Sequence, residues 1–124
     1  MKNIDDKETQ SCSNTPKLHR GDIILVHLNE KNGYPNSGIR PVLSLCDNEK
    51  YMNNNIVSVL PISTRIQKSL SHIDIEPGVL ECDAQVLTDN IITIDLNKQY
   101  VKIIGRVSDD TMKKVEDALF IKKG

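Results

Sequence analysis

Between residues 22 and 107 the chain is a succession of short apolar runs, several rich in β-branched residues, each closed within a few positions by turn formers. Runs of that length and composition suit strands better than helices. The first is Asp22-Ile23-Ile24-Leu25-Val26-His27-Leu28, led in by His19-Arg20-Gly21. Arg40 to Cys46 reads as a second strand and Ile56 to Ile62 as a third, with a solvated loop, Asp47 to Asn55, between them. Ser71-His72-Ile73-Asp74-Ile75 alternates polar and apolar residues, the period of a half-buried strand, and Pro77-Gly78 closes it. Gln85 to Leu87 and Ile91 to Ile94 are two further short strands, with Asp89-Asn90 as a turn or bulge. Tyr100 to Val107 is the last, with a break expected at Gly105.

Only Ser108 to Ile121 has helical periodicity. Ser108 suits an N-cap, and Asp109 and Asp110 suit the positive end of the helix dipole. Met112, Val115, Ala118 and Leu119 follow at helical spacing, and Lys122-Lys123 complement the negative end. The expected fold is mainly β with a C-terminal helix, a small twisted barrel or sheet packed against that helix.

A chain of 124 residues fits one domain with a single core. Residues Met1 to Leu18 are polar and aperiodic, so they are expected to form a disordered extension, with the folded domain spanning 19–124. The formal net charge of −1 argues against a protein that coats nucleic acid indiscriminately, while leaving room for a local basic cleft. No apolar run approaches the ~20 residues that span a bilayer, and the N-terminus has no signal-peptide core, so a cytoplasmic location is the default. The three cysteines, Cys12, Cys46 and Cys82, are too scattered for a zinc site and odd in number; free thiols are expected, with Cys46 and Cys82 buried. No metal site or cofactor is expected.

Three stretches carry chemistry. In Gly38-Ile39-Arg40-Pro41-Val42-Leu43 an arginine stands between a polar loop, Asn29 to Gly38, and an apolar strand. A guanidinium delivered from a strand base beside a long loop suits an anion such as phosphate. In Pro61-Ile62-Ser63-Thr64-Arg65-Ile66-Gln67-Lys68 two hydroxyls end a strand and two cations follow. No Walker-type glycine loop and no Gly-x-Ser-x-Gly elbow accompanies them, which disfavours nucleotide hydrolysis and acyl-enzyme chemistry. Thr88-Asp89-Asn90 adds a carboxylate and a carboxamide between strands. His27 and His72 have no paired carboxylate or cysteine close in sequence and read as structural residues.

Taken in order, these stretches resemble the MazF/PemK family of toxins from toxin–antitoxin pairs. The resemblance runs over about residues 19 to 121: Arg20-Gly21-Asp22-Ile23, Gly38-Ile39-Arg40-Pro41-Val42-Leu43, Pro61-Ile62-Ser63-Thr64 with Ile66-Gln67-Lys68, Thr93-Ile94-Asp95, and the helix with Met112, Val115 and Ala118-Leu119. It implies a small Src-homology-3-like barrel of the MazF/CcdB type that forms a homodimer, binds a cognate antitoxin and cleaves single-stranded RNA at a short sequence. The implied chemistry is metal-independent attack of the ribose 2′-hydroxyl on the adjacent phosphate, leaving 2′,3′-cyclic phosphate and 5′-hydroxyl ends. Arg40 matches the family's central arginine and is expected to stabilise phosphate charge, since its free-state pKa lies far above neutrality. Ser63 matches the family's catalytic threonine, Thr64 stands beside it, and Asp89 falls where members carry an acidic residue. RNA contacts are expected from Arg20, Lys31, Tyr34, Asn36, Arg65, Lys68 and Asn90, with Tyr34 and Tyr51 as stacking platforms. Two departures are visible: the loop reads Gly33-Tyr34-Pro35-Asn36 in place of Gly-x-Glu-Gln, and Ile92 replaces a basic residue. The alternatives are a non-enzymatic, CcdB-like gyrase binder, which this tryptophan-free chain matches poorly, and a decayed toxin that binds antitoxin without cutting.

Overall fold

The computed structural model describes residues 17–34, 38–47 and 55–123, with side chains described as far as Phe120. Cys12, Asn36, Tyr51 and residues 1–16 of the expected extension lie outside these. Seven strands form: β1 (Asp22–Leu28), β2 (Gly38–Ser44), β3 (Ile56–Ser63), β4 (His72–Asp74), β5 (Gln85–Leu87), β6 (Ile92–Asp95) and β7 (Tyr100–Arg106). A 3-10 turn, Glu30–Asn32, follows β1; a single-turn helix α1 (Leu96–Gln99) precedes β7; and helix α2 (Asp109–Lys123) ends the chain. The sheet order is β4-β5-β3-β2-β1-β7, with β6 also paired to β3. Every strand pairing is antiparallel, and β4, β6 and β7 each have a single partner among the described strands.

Strand β1 explains why its sequence reads as an almost unbroken apolar run. Ile24, Val26 and Leu28 enter one core cluster and Ile23 enters the other, so both faces of the strand are covered. Val42, Val57, Val59, Ile92, Ile94 and Leu96 complete the first cluster. Ile92, a departure from the family pattern, is therefore a core residue, only 5% exposed. Leu18 packs in the same cluster with no exposure, so the ordered core begins inside the stretch expected to be an extension.

Leu43, Leu60, Ile75, Ala84 and Val86 build the second cluster with Val107, Met112 and Val115 at the α2 side. Burying an aliphatic side chain of this size stabilises by about 1.5–3 kcal/mol, so this face of α2 outweighs its modest intrinsic propensity. Ser108 caps the helix: its Oγ accepts from Thr111 N at 3.2 Å. Glu76 braces the cap by accepting from Ser108 N and Thr111 Oγ1, each at 2.6 Å. Burial pushes the Glu76 carboxyl up, but these hydrogen bonds outweigh it and hold the group below its usual range.

Strand β7 is not broken at Gly105. It continues to Arg106, with irregular register against β1: Ile23 faces Gly105, whereas Ile24 faces Ile103. A Cβ at Gly105 would lie 3.3 Å from both Cγ1 and the carbonyl oxygen of Val79, which accounts for glycine there. The cysteine expectation is also corrected: Cys46 and Cys82 are free, but Cys46 is only partly buried and Cys82 is exposed. Among the described residues no helix is long and apolar enough to cross a membrane.

A candidate active-site groove on one sheet face

Side chains of directly opposed residues in antiparallel strands point to the same face, as do residues two apart along a strand. Ser63 pairs with Gln85, Asp74 with Gln85, and His72 with Leu87. Those five side chains therefore share one face at the β3–β5–β4 end of the sheet. The chain leaves β5 and returns to β3 as β6, so the intervening Thr88–Asn90 turn is brought beside the end of β3. Buried Thr88 fixes that turn: its backbone N and its Oγ1 both donate to the Ser71 carbonyl at 2.8 Å. Asp89 is thereby set near Ser71, whose hydroxyl donates to Asp89 Oδ2 at 3.4 Å.

A groove of about 480 Å³ results, lined by Ser63, Arg65, Gln67, His72, Leu87, Asp89 and Asn90. Four of the residues expected at the site, Ser63, Arg65, Asp89 and Asn90, thus meet in one place. Ser63 Oγ accepts from Arg65 N at 3.1 Å, which bends the chain after β3. A hydroxyl engaged as an acceptor still has its own proton to donate to a phosphate oxygen. The following segment is clamped by Gln85, only 4% exposed. Its Oε1 accepts from Gln67 N, and its Nε2 donates to Gln67 O, both at 3.0 Å. The same Nε2 donates to Asp74 Oδ1 at 2.8 Å.

His72, a structural residue by its sequence context, lines this groove, and among the described residues its buried Nδ1 has no hydrogen-bond partner. Buried ring nitrogens are normally satisfied, and an imidazole is the side chain suited to exchanging protons near neutrality. Only strand pairing, which brings β4 beside β5 and β5 beside β3, shows that His72 is near Ser63.

Arg40 is exposed and stands over the Tyr34 ring, 5.5 Å from its centroid, rather than lining the groove. The β2–β3 register runs through Val42–Pro61. Continued two residues further, it sets Arg40 level with Ser63. Burial pushes the Tyr34 phenol up, and this outweighs the opposing pull of Arg40, so Tyr34 stays neutral at physiological pH. The loop bearing Tyr34 is tied down. Gln99 Nε2 donates to His27 O at 2.8 Å and to Asn32 Oδ1 at 3.0 Å, and Gln99 Oε1 accepts from Asp95 N at 2.8 Å.

The other expected residues are dispersed. Thr64 is exposed next to Ser63 but does not line the groove, and Lys31 is exposed in the 3-10 turn. Lys68 lines a second groove with Ile66, Gln67, His72, Asp74 and Gln85. Arg20 lies at the other end of β1 and pairs with Glu116 of α2, Nε to Oε2 at 3.2 Å. Its neighbours are equally structural: Gly21 has φ +98° and a Cβ there would meet Met112 Cγ at 3.1 Å. Asp22, 2% exposed, accepts from Arg106 Nε at 2.7 Å and from His19 N at 2.8 Å. Among the described residues no three His, Cys, Asp or Glu side chains are grouped to hold a metal ion.

The groove thus offers a hydroxyl, an imidazole, a carboxylate, a carboxamide and a guanidinium along one face of a small antiparallel domain. Residues 19–121 match the model of the PemK-like, MazF-like toxins of type II toxin–antitoxin systems, and the chain belongs to that family. It is 32% identical over 111 residues to a protein of Staphylococcus saprophyticus named endoribonuclease MazF, covering 86% of this chain and 92% of that one. The crystal structure of MazF from Deinococcus radiodurans superposes with a TM-score of 0.74 at 15% identity, over 88% of this chain and 98% of that chain. A mycobacterial endoribonuclease in complex with its cognate antitoxin gives a TM-score of 0.70 at 23% identity, over 86% of this chain and 95% of that chain. These neighbours carry the barrel-like toxin fold expected from sequence, although the sheet formed by the described strands is not closed.

Proposed function

We propose that the protein is a toxin that cleaves single-stranded RNA in the cytoplasm, acts as a homodimer and is held in check by a cognate antitoxin. The groove that gathers Ser63, Arg65, His72, Asp89 and Asn90 carries this reading. Family membership and a relative named as an endoribonuclease support it. The ribose 2′-oxygen attacks the adjacent phosphorus; its proton passes to a groove base, and the departing 5′-oxygen takes up a proton from a groove acid. One P–O bond forms and one breaks, leaving a 2′,3′-cyclic phosphate and a 5′-hydroxyl, with no metal needed for the balance.

His72 and Asp89 are the imidazole and the carboxylate lining the groove, and they share the acid and base roles. Ser63 donates to a non-bridging phosphate oxygen, with Thr64 at the groove rim. Arg40 has no carboxylate within ion-pair distance among the described residues, so its fork is free to leave the Tyr34 ring for the phosphorane charge. Arg65, Lys68 and Asn90 contact the strand nearby. Lys31, Tyr34 and Asn36 act from the loop after β1. For Arg20, the pairing with Glu116 supports a helix-anchoring role in place of direct RNA contact.

The test is incubation of purified protein with a long mixed-sequence RNA in EDTA, followed by mapping of the ends. Discrete cuts bearing 5′-hydroxyl groups are expected. An intact RNA in the presence of folded dimer would overturn the proposal.

A further inference from the structure

The groove bearing Lys68 is continuous with the candidate catalytic groove. It encloses about 560 Å³, and its lining shares Gln67 and His72 with the Ser63–Asp89 groove. Its chemistry differs from that of a phosphate track. Ile66 is 52% exposed and Leu70 is 94% exposed, which presents apolar surface to solvent. Asp74 is the one acid in the lining, and a carboxylate is a hydrogen-bond acceptor only. Its Oδ1 accepts from Gln85 Nε2 at 2.8 Å, and Gln85 is itself buried and held to both backbone groups of Gln67. The carboxylate is thereby fixed in orientation by a second side chain, while Oδ2 has no hydrogen-bond partner among the described residues.

A fixed, exposed acceptor beside apolar side chains suits a nucleobase better than a backbone. We infer that this groove is a base-reading subsite next to the scissile linkage, in which Asp74 accepts from the exocyclic amino group of an unpaired base. Cytosine N4, adenine N6 and guanine N2 each offer such a donor; uracil has no amino group. Ile66 and Leu70 cover the base, and Lys68 meets the adjoining phosphate. The inference rests on the proposal that the neighbouring groove cuts RNA. It adds that groove's substrate preference at one flanking position: amino-bearing bases over uracil, by about tenfold, the scale of one charge-assisted hydrogen bond.

The Asp74→Asn variant inverts the readout without changing shape. Gln85 Nε2 still has an oxygen to donate to, and the amide nitrogen then points outward as a donor. Wild type and variant are given a pool of RNA randomised around a cut site, and the cleaved ends are sequenced, with circular dichroism and size exclusion to confirm fold and assembly. The expected result is a single flanking position at which wild type disfavours uracil about tenfold. At that same position Asp74→Asn is expected to lose the bias or turn toward carbonyl-bearing uracil and guanine. An unchanged base pattern in the variant, or no such position in wild type, overturns the inference while leaving RNA cleavage standing. Failure of wild type to cut any member of the pool overturns the cleavage proposal itself, and the subsite with it.

Discussion

Arg40, Ser63 and His72 illustrate how differently residues reveal themselves. Arg40 was legible because Gly38 and Pro41 frame it, but its partner was not: the Tyr34 ring comes from across a loop. Ser63 was legible as a hydroxyl closing an apolar run, and its bond to Arg65 N is a local turn of the kind such residues favour. His72 could not be singled out, because nothing within a few residues marks it; its proximity to Ser63 exists only through two strand pairings. The ion-pair partner of Arg20, Glu116, was hidden for the same reason: it lies on the final helix.

Substitutions here should separate roles. Arg40→Ala is expected to lower kcat by about 10²–10³-fold, the scale of losing a preorganised donor to transition-state charge, with an unchanged dimer by size exclusion. Wild-type rates in Arg40→Ala would remove it from the mechanism. His72→Ala is expected to cost about 10²-fold or more and to flatten one limb of the pH–rate profile, as removal of a general acid or base does. An unaltered profile would return His72 to a structural role.

Among the elements, the long strands were legible because burial on one or both faces leaves a period of two or a continuous apolar run. Helix α2 was legible from its cap and spacing. Helix α1 was missed, since four residues are too few to show a period, and its anchor is the Asp95 side chain accepting from Asn97 N at 3.0 Å. The 3-10 turn was missed because its capping box is built by two asparagines, Asn29 and Asn32, in a stretch that reads as loop. At Gly105 the sequence suggests a break because a strand glycine marks either a break or a close approach, and the contact with Val79 is not local in sequence.

Two stability effects follow at this scale. Ser108→Ala should lower the stability of the domain by about 1 kcal/mol in urea denaturation, the usual value of a lost N-cap. Glu76 is held below its ordinary value of 4.5, so the stability it contributes is present above that pH and is lost as pH falls through the lowered folded value. Glu76→Gln should therefore flatten the acid limb of the stability curve. A limb identical to wild type would show that the cap is not coupled to this carboxylate.

For the molecule as a whole, the division of labour runs along β1 and β2. One end, with Gly21, Asp22, Arg20 and Arg106, fastens the sheet to α2; the other carries the loop, Tyr34 and Arg40 toward the Ser63 groove. Gly21 and Asp22 form a structural clasp, whereas Arg40 is exposed to solvent. Gly21→Ala combines a left-handed backbone with a crowded Met112 and should destabilise the domain by about 1–3 kcal/mol. Thermal unfolding at the wild-type midpoint would contradict the clasp.

The most direct test places an RNA in the groove without letting it react. A short oligonucleotide spanning a mapped cut site, with 2′-deoxyribose at the scissile nucleotide, is titrated into isotopically labelled protein and followed by amide shifts. The expected result is an uncut ligand whose perturbations centre on Ser63, Arg65, Gln67, His72, Asp89 and Asn90. Cleavage of the deoxy-substituted strand, or perturbations confined to the exposed side of α2 around Lys113 and Lys114, would contradict both the chemistry and its place.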